Sequence, residues 1–269
     1  MYGRQAVLEG DDRVPLVLFM NGTGGDPQQQ AIDSGWAAKA QSEDIVVVSP
    51  EYNDSATYSE VDYLTEVIAM AKRRYPIDET RVYALGFSNG GASAVALTSR
   101  HPELFAGIAA YGWQVDLDNP IEGYTMPFQI IQGSDEGTRT DTAGNPMVRD
   151  GTRESMRSLL LYNGMIDDDD ASDFRETPYW GYKPDDMRTD TVDSVSWTVN
   201  SYHKTDYNNP FAQCILIENG IHEPHQAEGA TVWALQVLAF EIDLVLIRNV
   251  CDPGESLCRD KPTTQQRVP

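Results

Sequence analysis

Positive charge is scarce in this chain. Its 269 residues carry 20 Lys and Arg against 42 Asp and Glu, a formal net charge of -22. So acidic a protein repels polyphosphate, which argues against nucleic acid or an anionic membrane surface as its partner. A strongly anionic substrate is disfavoured unless local positive charge offsets the field. The plainer consequence of the charge is solubility. Long hydrophobic runs are lacking too. The longest apolar stretch, Thr231 to Ile247, is interrupted by Gln236, Glu241 and Asp243. It reads as a buried or amphipathic terminal helix and not as a membrane span. No secretory leader is visible, but a chain that has lost its leader reads the same way, so a secreted and a cytoplasmic location both stay open.

Cysteine is nearly absent. Three residues make no disulfide scaffold, and no Cys/His spacing resembles a zinc site. Cys214 lies in an apolar run and is expected to be a buried thiol. Cys251 and Cys258 bracket a turn-rich loop that a disulfide is able to close, and the alternative of two free thiols stays open. The aspartates at 167–170 and Asp173 lack the spacing and the glycine of a calcium loop, so they read as solvated. Internal repeats and long low-complexity linkers are missing as well. A length of 269 residues then suits one large α/β domain over 1–269.

What is present alternates between strand and helix signals, which points to a mostly parallel sheet covered by helices on both faces. Strands are expected at Pro15–Met20, Asp44–Val48, Thr80–Leu85, Phe105–Ala110, Pro127–Gln132 and Gln213–Ile217. Helices are expected around Ser34–Gln41, from a Ser59 cap to Pro76, over Thr152–Tyr162, and from Gln226 onward. In the third of these positions the chain has changed character: residues 139–210 are rich in Asp, Tyr, Gly and Pro. They read as an insertion or active-site wall, with exposed strand structure over Asp190–Thr205.

The chemistry starts at Gly86-Phe87-Ser88-Asn89-Gly90. This G-x-S-x-G follows a strand-like stretch and precedes a small-residue, helix-compatible one. In that context the serine hydroxyl is pushed out at the top of a sheet, beside a helix N-terminus. The flanking glycines avoid collision with neighbouring backbone.

A serine hydroxyl needs a base within hydrogen-bond reach. The chain has only four histidines. His101 sits at a helix end and reads as structural, and His203 reads as solvated. His222 and His225 lie in the loop after the last expected strand. Such loops gather at the carboxyl edge of an open α/β sheet. His222 directly follows the Asn-Gly-Ile turn and is the favoured base, with His225 as the alternative. The acid that orients it comes from Asp135 or Glu136. The oxyanion donors expected are the backbone N–H groups of Thr23, in a glycine-rich loop, and Asn89. That loop has neither the Lys of a P-loop nor full G-x-G-x-x-G spacing. Trp113, Tyr52, Tyr179 and Trp180 are candidates to stack on an aromatic acyl group or sugar.

Residues 15–240 resemble the α/β-hydrolase fold, and specifically the polyhydroxybutyrate depolymerase and feruloyl esterase-like group. The resemblance lies in Pro15-Leu-Val-Leu-Phe-Met-Asn-Gly-Thr-Gly24, in Ile77-Asp-Glu-Thr-Arg-Val-Tyr-Ala-Leu-Gly-Phe-Ser-Asn-Gly-Gly91, in Pro102-Glu-Leu-Phe-Ala106 and in the His222 segment. It implies ester hydrolysis through a serine acyl-enzyme, with no metal and no organic cofactor, on a small or polymeric ester. Two departures accompany it. The family's oxyanion loop usually begins His-Gly, where this chain has Asn21-Gly22. The family's acid position falls on Glu136, where Asp is usual, and Asp135 stands one residue earlier. Two rival activities remain: a peptidase on the same triad, and a non-catalytic binding protein on a hydrolase scaffold.

Overall fold

A computed structural model describes residues 1–54, 59–113, 115, 124–136, 139–140, 146–147, 152–167, 180–192, 195–205, 207 and 209–223. Expectations for Tyr179, His225, Cys251, Cys258, residues 168–170, Asp173 and the helix from Gln226 through the Thr231–Ile247 stretch lie outside them.

After a short helix α1 (Gln5–Leu8), the chain enters β1 (Val14–Met20), buried along its whole length. Alternate residues serve different layers. Leu16, Leu18 and Met20 join one core cluster, while Val17 and Phe19 join another. A strand covered on both faces needs this near-continuous apolar run. Two helices follow, α2 (Pro27–Asp33) and α3 (Trp36–Ser42). The second was expected and the first was not. Asp26 caps α2 by accepting the Gln29 N–H at 2.7 Å, with Pro27 at the first helical position.

Strand β2 (Val46–Val48) is shorter than expected at its start. Asp44 is exposed and pairs with Arg4, so it stays out of the buried sheet. Helix α4 (Val61–Arg74) buries Val61, Leu64, Val67, Ile68 and Ala71 on one stripe. Its N-cap is Glu60 and makes no side-chain capping bond, so Ser59 is not the cap expected of it. Lys72, Arg73 and Arg74 end the helix, where positive charge complements the dipole.

Strand β3 (Ile77–Phe87) runs three residues further back than expected and two further on, and α5 (Asn89–Arg100) follows with one residue between. A 3₁₀ turn (Pro102–Leu104) leads to β4 (Gly107–Tyr111), then β5 (Phe128–Gly133). A two-stranded ribbon of β6 (Arg139–Thr140) and β7 (Pro146–Met147) and helix α6 (Thr152–Tyr162) come next. The chain then adds β8 (Asp186–Val192), β9 (Val195–Tyr202) and β10 (Ala212–Ile217).

The main sheet has eight strands in the order β2-β1-β3-β4-β5-β10-β9-β8. All neighbours run parallel except β10–β9 and β9–β8. The 190–205 segment is therefore not simply exposed strand. β8 is an exposed edge, but β9 is an inner strand with Trp197 and Val199 buried. Strand order reverses between β1 and β3, so the loops after these strands part to opposite sides of the sheet. Crevices at such switch points, outside the strands' carboxyl ends, are where ligands bind in this architecture. Cys214 is fully buried in β10, and burial pushes its thiol well above its ordinary value. Among the described residues, no helix is long and apolar enough to cross a membrane.

Candidate active site

Ser88 stands alone between β3 and α5 with φ 52° and ψ -120°, a backbone state that costs a non-glycine residue about 1–3 kcal/mol. Contacts around the turn hold it there. A Cβ on Gly86 would meet the Gly90 carbonyl at 2.0 Å, and one on Gly90 would meet the Met20 oxygen at 2.1 Å. One on Gly91 would meet the Trp113 Cβ at 2.7 Å. The Ser88 N–H donates to the Tyr111 carbonyl at 2.9 Å, tying the turn to β4.

His222 reaches this serine from the loop after β10. Its Nε2 lies 3.0 Å from Ser88 Oγ, and its ring sits 4.8 Å from the Phe87 ring. On the other side Nδ1 bonds Glu136 Oε1. The Glu136 side chain is buried, and its Oε2 accepts the Gly133 N–H at 3.1 Å. A carboxylate at Nδ1 favours the tautomer protonated there and leaves Nε2 free to accept the serine proton.

Of the two candidate acids, Glu136 is the one brought to the histidine. Asp135 is exposed, with Oδ1 accepting the Ser134 hydroxyl at 3.1 Å. The acid and histidine loops are joined through the backbone. The Asp135 N–H donates to the Gly220 carbonyl and the Ser134 N–H to the Ile217 carbonyl, both at 2.8 Å. The Asn219 N–H donates to Ser134 Oγ at 2.8 Å, and Asn219 takes a φ of 57°. Beneath the pair lies Gly112, at φ 65°. A Cβ there would come within 2.5 Å of Glu136 Oε1 and 2.7 Å of His222 Cε1. Nearby Tyr111 has its hydroxyl pKa raised, by burial first and by the charges of Glu136 and Glu223 next.

The loop after β1 faces the elbow. The N–H groups of Thr23 and Asn89 have no partner among the described residues, whereas their side chains touch: Asn89 Nδ2 donates to Thr23 Oγ1 at 2.5 Å. As the first helical residue, Asn89 has an N–H that α5 itself cannot satisfy. Asn21 Nδ2 donates to the carbonyls of Gly22 and Gly25, each at 2.9 Å.

The aromatic candidates divide. Trp113 is half-buried beside Gly91 at the start of α5. Tyr52 is half-buried, and its hydroxyl donates to the Asn21 carbonyl at 2.8 Å, which commits it to the loop after β1. Burial, with Asp54 and Glu60 nearby, pushes that hydroxyl up to about 12. Trp180 corrects the expectation of a stacking role: at 1% exposure it packs in the core and offers no face to a ligand. His101 caps α5 and bonds Glu103, and His203 is exposed with its N–H on Asp185. Residues that sequence reasoning missed are Asp54, Gly112 and Ser134. Gly112 and Ser134 directly follow β4 and β5, Asp54 lies further along the loop after β2, and a place at the strands' carboxyl edge is the one signal that marks them. Among the described residues no His, Cys, Asp and Glu cluster is built to hold a metal ion.

The fold resembles that of a solved structure, acetyl xylan esterase from Aspergillus awamori, with a TM-score of 0.55. The match covers 82% of this chain and 89% of that one at 12% identity, a likeness of fold. The chain has the α/β-hydrolase fold. The family model of the prolyl oligopeptidase family matches residues 52–169, less than half of the chain. NocK from Nocardia uniformis subsp. tsuyamanensis, which carries an esterase's name, is 31% identical over 126 residues, 42% of this chain and 36% of NocK. The bifunctional acetylxylan esterase/xylanase XynS20E from Neocallimastix patriciarum is 35% identical over 83 residues, 29% of this chain and 12% of that protein. The similarity thus spans about a third of the first relative's length and an eighth of the second's.

Proposed function

We propose that this α/β-hydrolase is a serine esterase that works through a covalent acyl-enzyme. The observation that carries the reading is the unbroken relay from Ser88 Oγ to His222 Nε2, at 3.0 Å, and from His222 Nδ1 to the buried Glu136 carboxylate. Ser88 attacks the ester carbonyl while His222 takes its proton. Glu136 stabilises the imidazolium that forms. The N–H groups of Thr23 and Asn89 receive the oxyanion. His222 then returns the proton to the leaving alkoxide, and water repeats the sequence to release the acid. Each proton and charge is handled by a side chain or backbone group of this chain, so the reaction needs no metal or organic cofactor.

The substrate we propose is a carboxylic ester on a carbohydrate, feruloyl or acetyl, or a hydroxyalkanoate ester. The acetylxylan esterase name of one relative supports the carbohydrate branch. We read residues 139–210 as an elaboration of the same domain, which the continuity of β8 and β9 with the main sheet supports. A second reading, a serine peptidase, draws on the prolyl oligopeptidase family match over residues 52–169. Acyl transfer to water cleaves amides through the same groups.

The test is hydrolysis of p-nitrophenyl acetate, methyl ferulate and a peptidyl p-nitroanilide by wild type and Ser88→Ala, with folding checked by circular dichroism. Ester turnover should fall about 10⁴-fold or more in Ser88→Ala, since residues of a triad act as a unit. Turnover of the anilide with inert esters would replace the esterase by the peptidase. Ester turnover surviving in Ser88→Ala would remove Ser88 as the nucleophile.

A further inference from the structure

We infer that Asp54 is a positioning residue for the oxyanion hole, a clamp between the loop carrying Thr23 and the elbow carrying Asn89. The inference rests on the serine-esterase reading. Asp54 follows β2, at the carboxyl edge of the sheet, and bonds in two directions at once. Its Oδ2 accepts the Gly24 N–H at 2.7 Å and lies 3.4 Å from Asn21 Nδ2. Its main-chain oxygen accepts Asn89 Nδ2 at 3.3 Å, the same amide that bonds Thr23 Oγ1.

Packing holds the start of this loop, where Gly22 is buried against Phe87, but not its tip. Thr23 and Gly24 are both exposed, and a Cβ on Gly24 would find nothing within 4 Å. Hydrogen bonds on either side of Thr23 do the holding. The Gly22 N–H donates to Gln30 Oε1 at 2.9 Å, and the Gly25 N–H to the Gly22 carbonyl at 3.0 Å. The Asp54 carboxylate fixes the Gly24 N–H and so the plane of the Thr23–Gly24 peptide. The Thr23 N–H is then left unpaired on a restrained backbone. A donor that need not reorganise as charge develops is what an oxyanion hole requires. A carboxylate accepting from a backbone N–H makes a charge-assisted bond, stronger than a neutral acceptor would.

The test compares wild type, Asp54→Ala and Asp54→Asn in the full chain. The readouts are kcat and KM on p-nitrophenyl acetate, the rate of inactivation by a fluorophosphonate, and the end-point count of labelled sites. In Asp54→Ala, kcat should fall about 10- to 100-fold with KM within about twofold, as for a misaligned oxyanion donor. The fluorophosphonate rate should fall in parallel, because charge builds on an oxygen held by the same hole. The end-point count should stay at one site per chain. Asp54→Asn keeps an acceptor for the Gly24 N–H and should recover most of the loss. Unchanged kcat in Asp54→Ala, or a loss that only tracks the number of labelled sites, overturns the clamp and leaves the esterase standing. Folded wild type that neither hydrolyses esters nor labels overturns the esterase reading itself.

Discussion

Two pairs of loops meet at the carboxyl edge of the sheet, and they are joined by different means. The acid loop after β5 and the histidine loop after β10 are fused through backbone. Gly133 and Gly220 are so close that a Cβ on Gly133 would lie 2.1 Å from the Gly220 oxygen. Two main-chain bonds of 2.8 Å cross between the loops. The loop after β1 and the elbow are bonded through side chains, with Asn89 reaching Thr23 and the Asp54 carbonyl while Asp54 holds the Gly24 N–H. On the proposed reading, the half that moves protons is joined by main-chain hydrogen bonds, and the half that receives charge is joined by side-chain ones on top of the close approach of Gly90 to the Met20 oxygen. Each half should break in its own way.

The acid should give the largest effect. Glu136→Gln keeps the shape of the buried side chain but removes the charge that faces imidazolium and lets the amide favour the wrong histidine tautomer. A loss of about 10³- to 10⁴-fold in kcat is expected from the same change in a serine triad. Asp135→Asn, one residue away but exposed and bonded to Ser134, should stay within about twofold of wild type, as surface changes usually do. Steady-state kinetics of the two variants side by side check the assignment. A larger loss in Asp135→Asn would exchange their roles.

The backbone joint comes next. In Gly133→Ala the new methyl group meets Gly220 main chain, which cannot rotate away as a side chain would. The loops must separate by about an ångström, enough to cost roughly 100-fold in rate when it displaces a catalytic group. The overpacking should also cost about 1–3 kcal/mol of stability. Denaturant unfolding and kcat measured on the same sample separate the two effects. Wild-type kinetics in this variant would mean that the loops are positioned by something other than this contact.

Much of this architecture was legible in sequence, for identifiable reasons. The elbow announces itself because glycine at 86 and 90 and a strand before Ser88 are local requirements. The stripe Val61, Leu64, Ile68 and Ala71 predicts α4 because burial imposes a period on it. Helix α2 escaped although Asp26-Pro27 is a start signal. It buries only Ala31 of its seven residues, so no apolar period marks it. Position along the chain leaves Asp135 and Glu136 as neighbours; only the turn at Gly133 turns one inward and the other out. Trp180 misled because an indole suits a core as well as a pocket, and side-chain type carries no burial. The Asp54 contacts join residues 21, 24, 54 and 89, which share no local pattern.

The side-chain joint should show the smallest loss, and there the contrast between the halves is sharpest. Asn89→Ala keeps the N–H proposed to hold the oxyanion and places a good helix former at the first position of α5. It removes only the amide bonds to Thr23 Oγ1 and the Asp54 carbonyl. Thr23 is still restrained through Gly22, Gly24 and Gly25, so one donor of the hole loosens while the other stays in place. A fall of about tenfold in kcat is expected, below the 10²–10³ seen when an oxyanion donor is deleted. Stability should change by no more than about 0.5 kcal/mol, because the site is half-exposed and the helix is not disfavoured. Measured with thermal unfolding, this variant is the mirror of Gly133→Ala: rate lost with the fold intact, against rate and fold lost together. If Asn89→Ala instead unfolds as readily as Gly133→Ala, the side-chain joint carries structure as the backbone joint does, and the distinction between the two halves disappears.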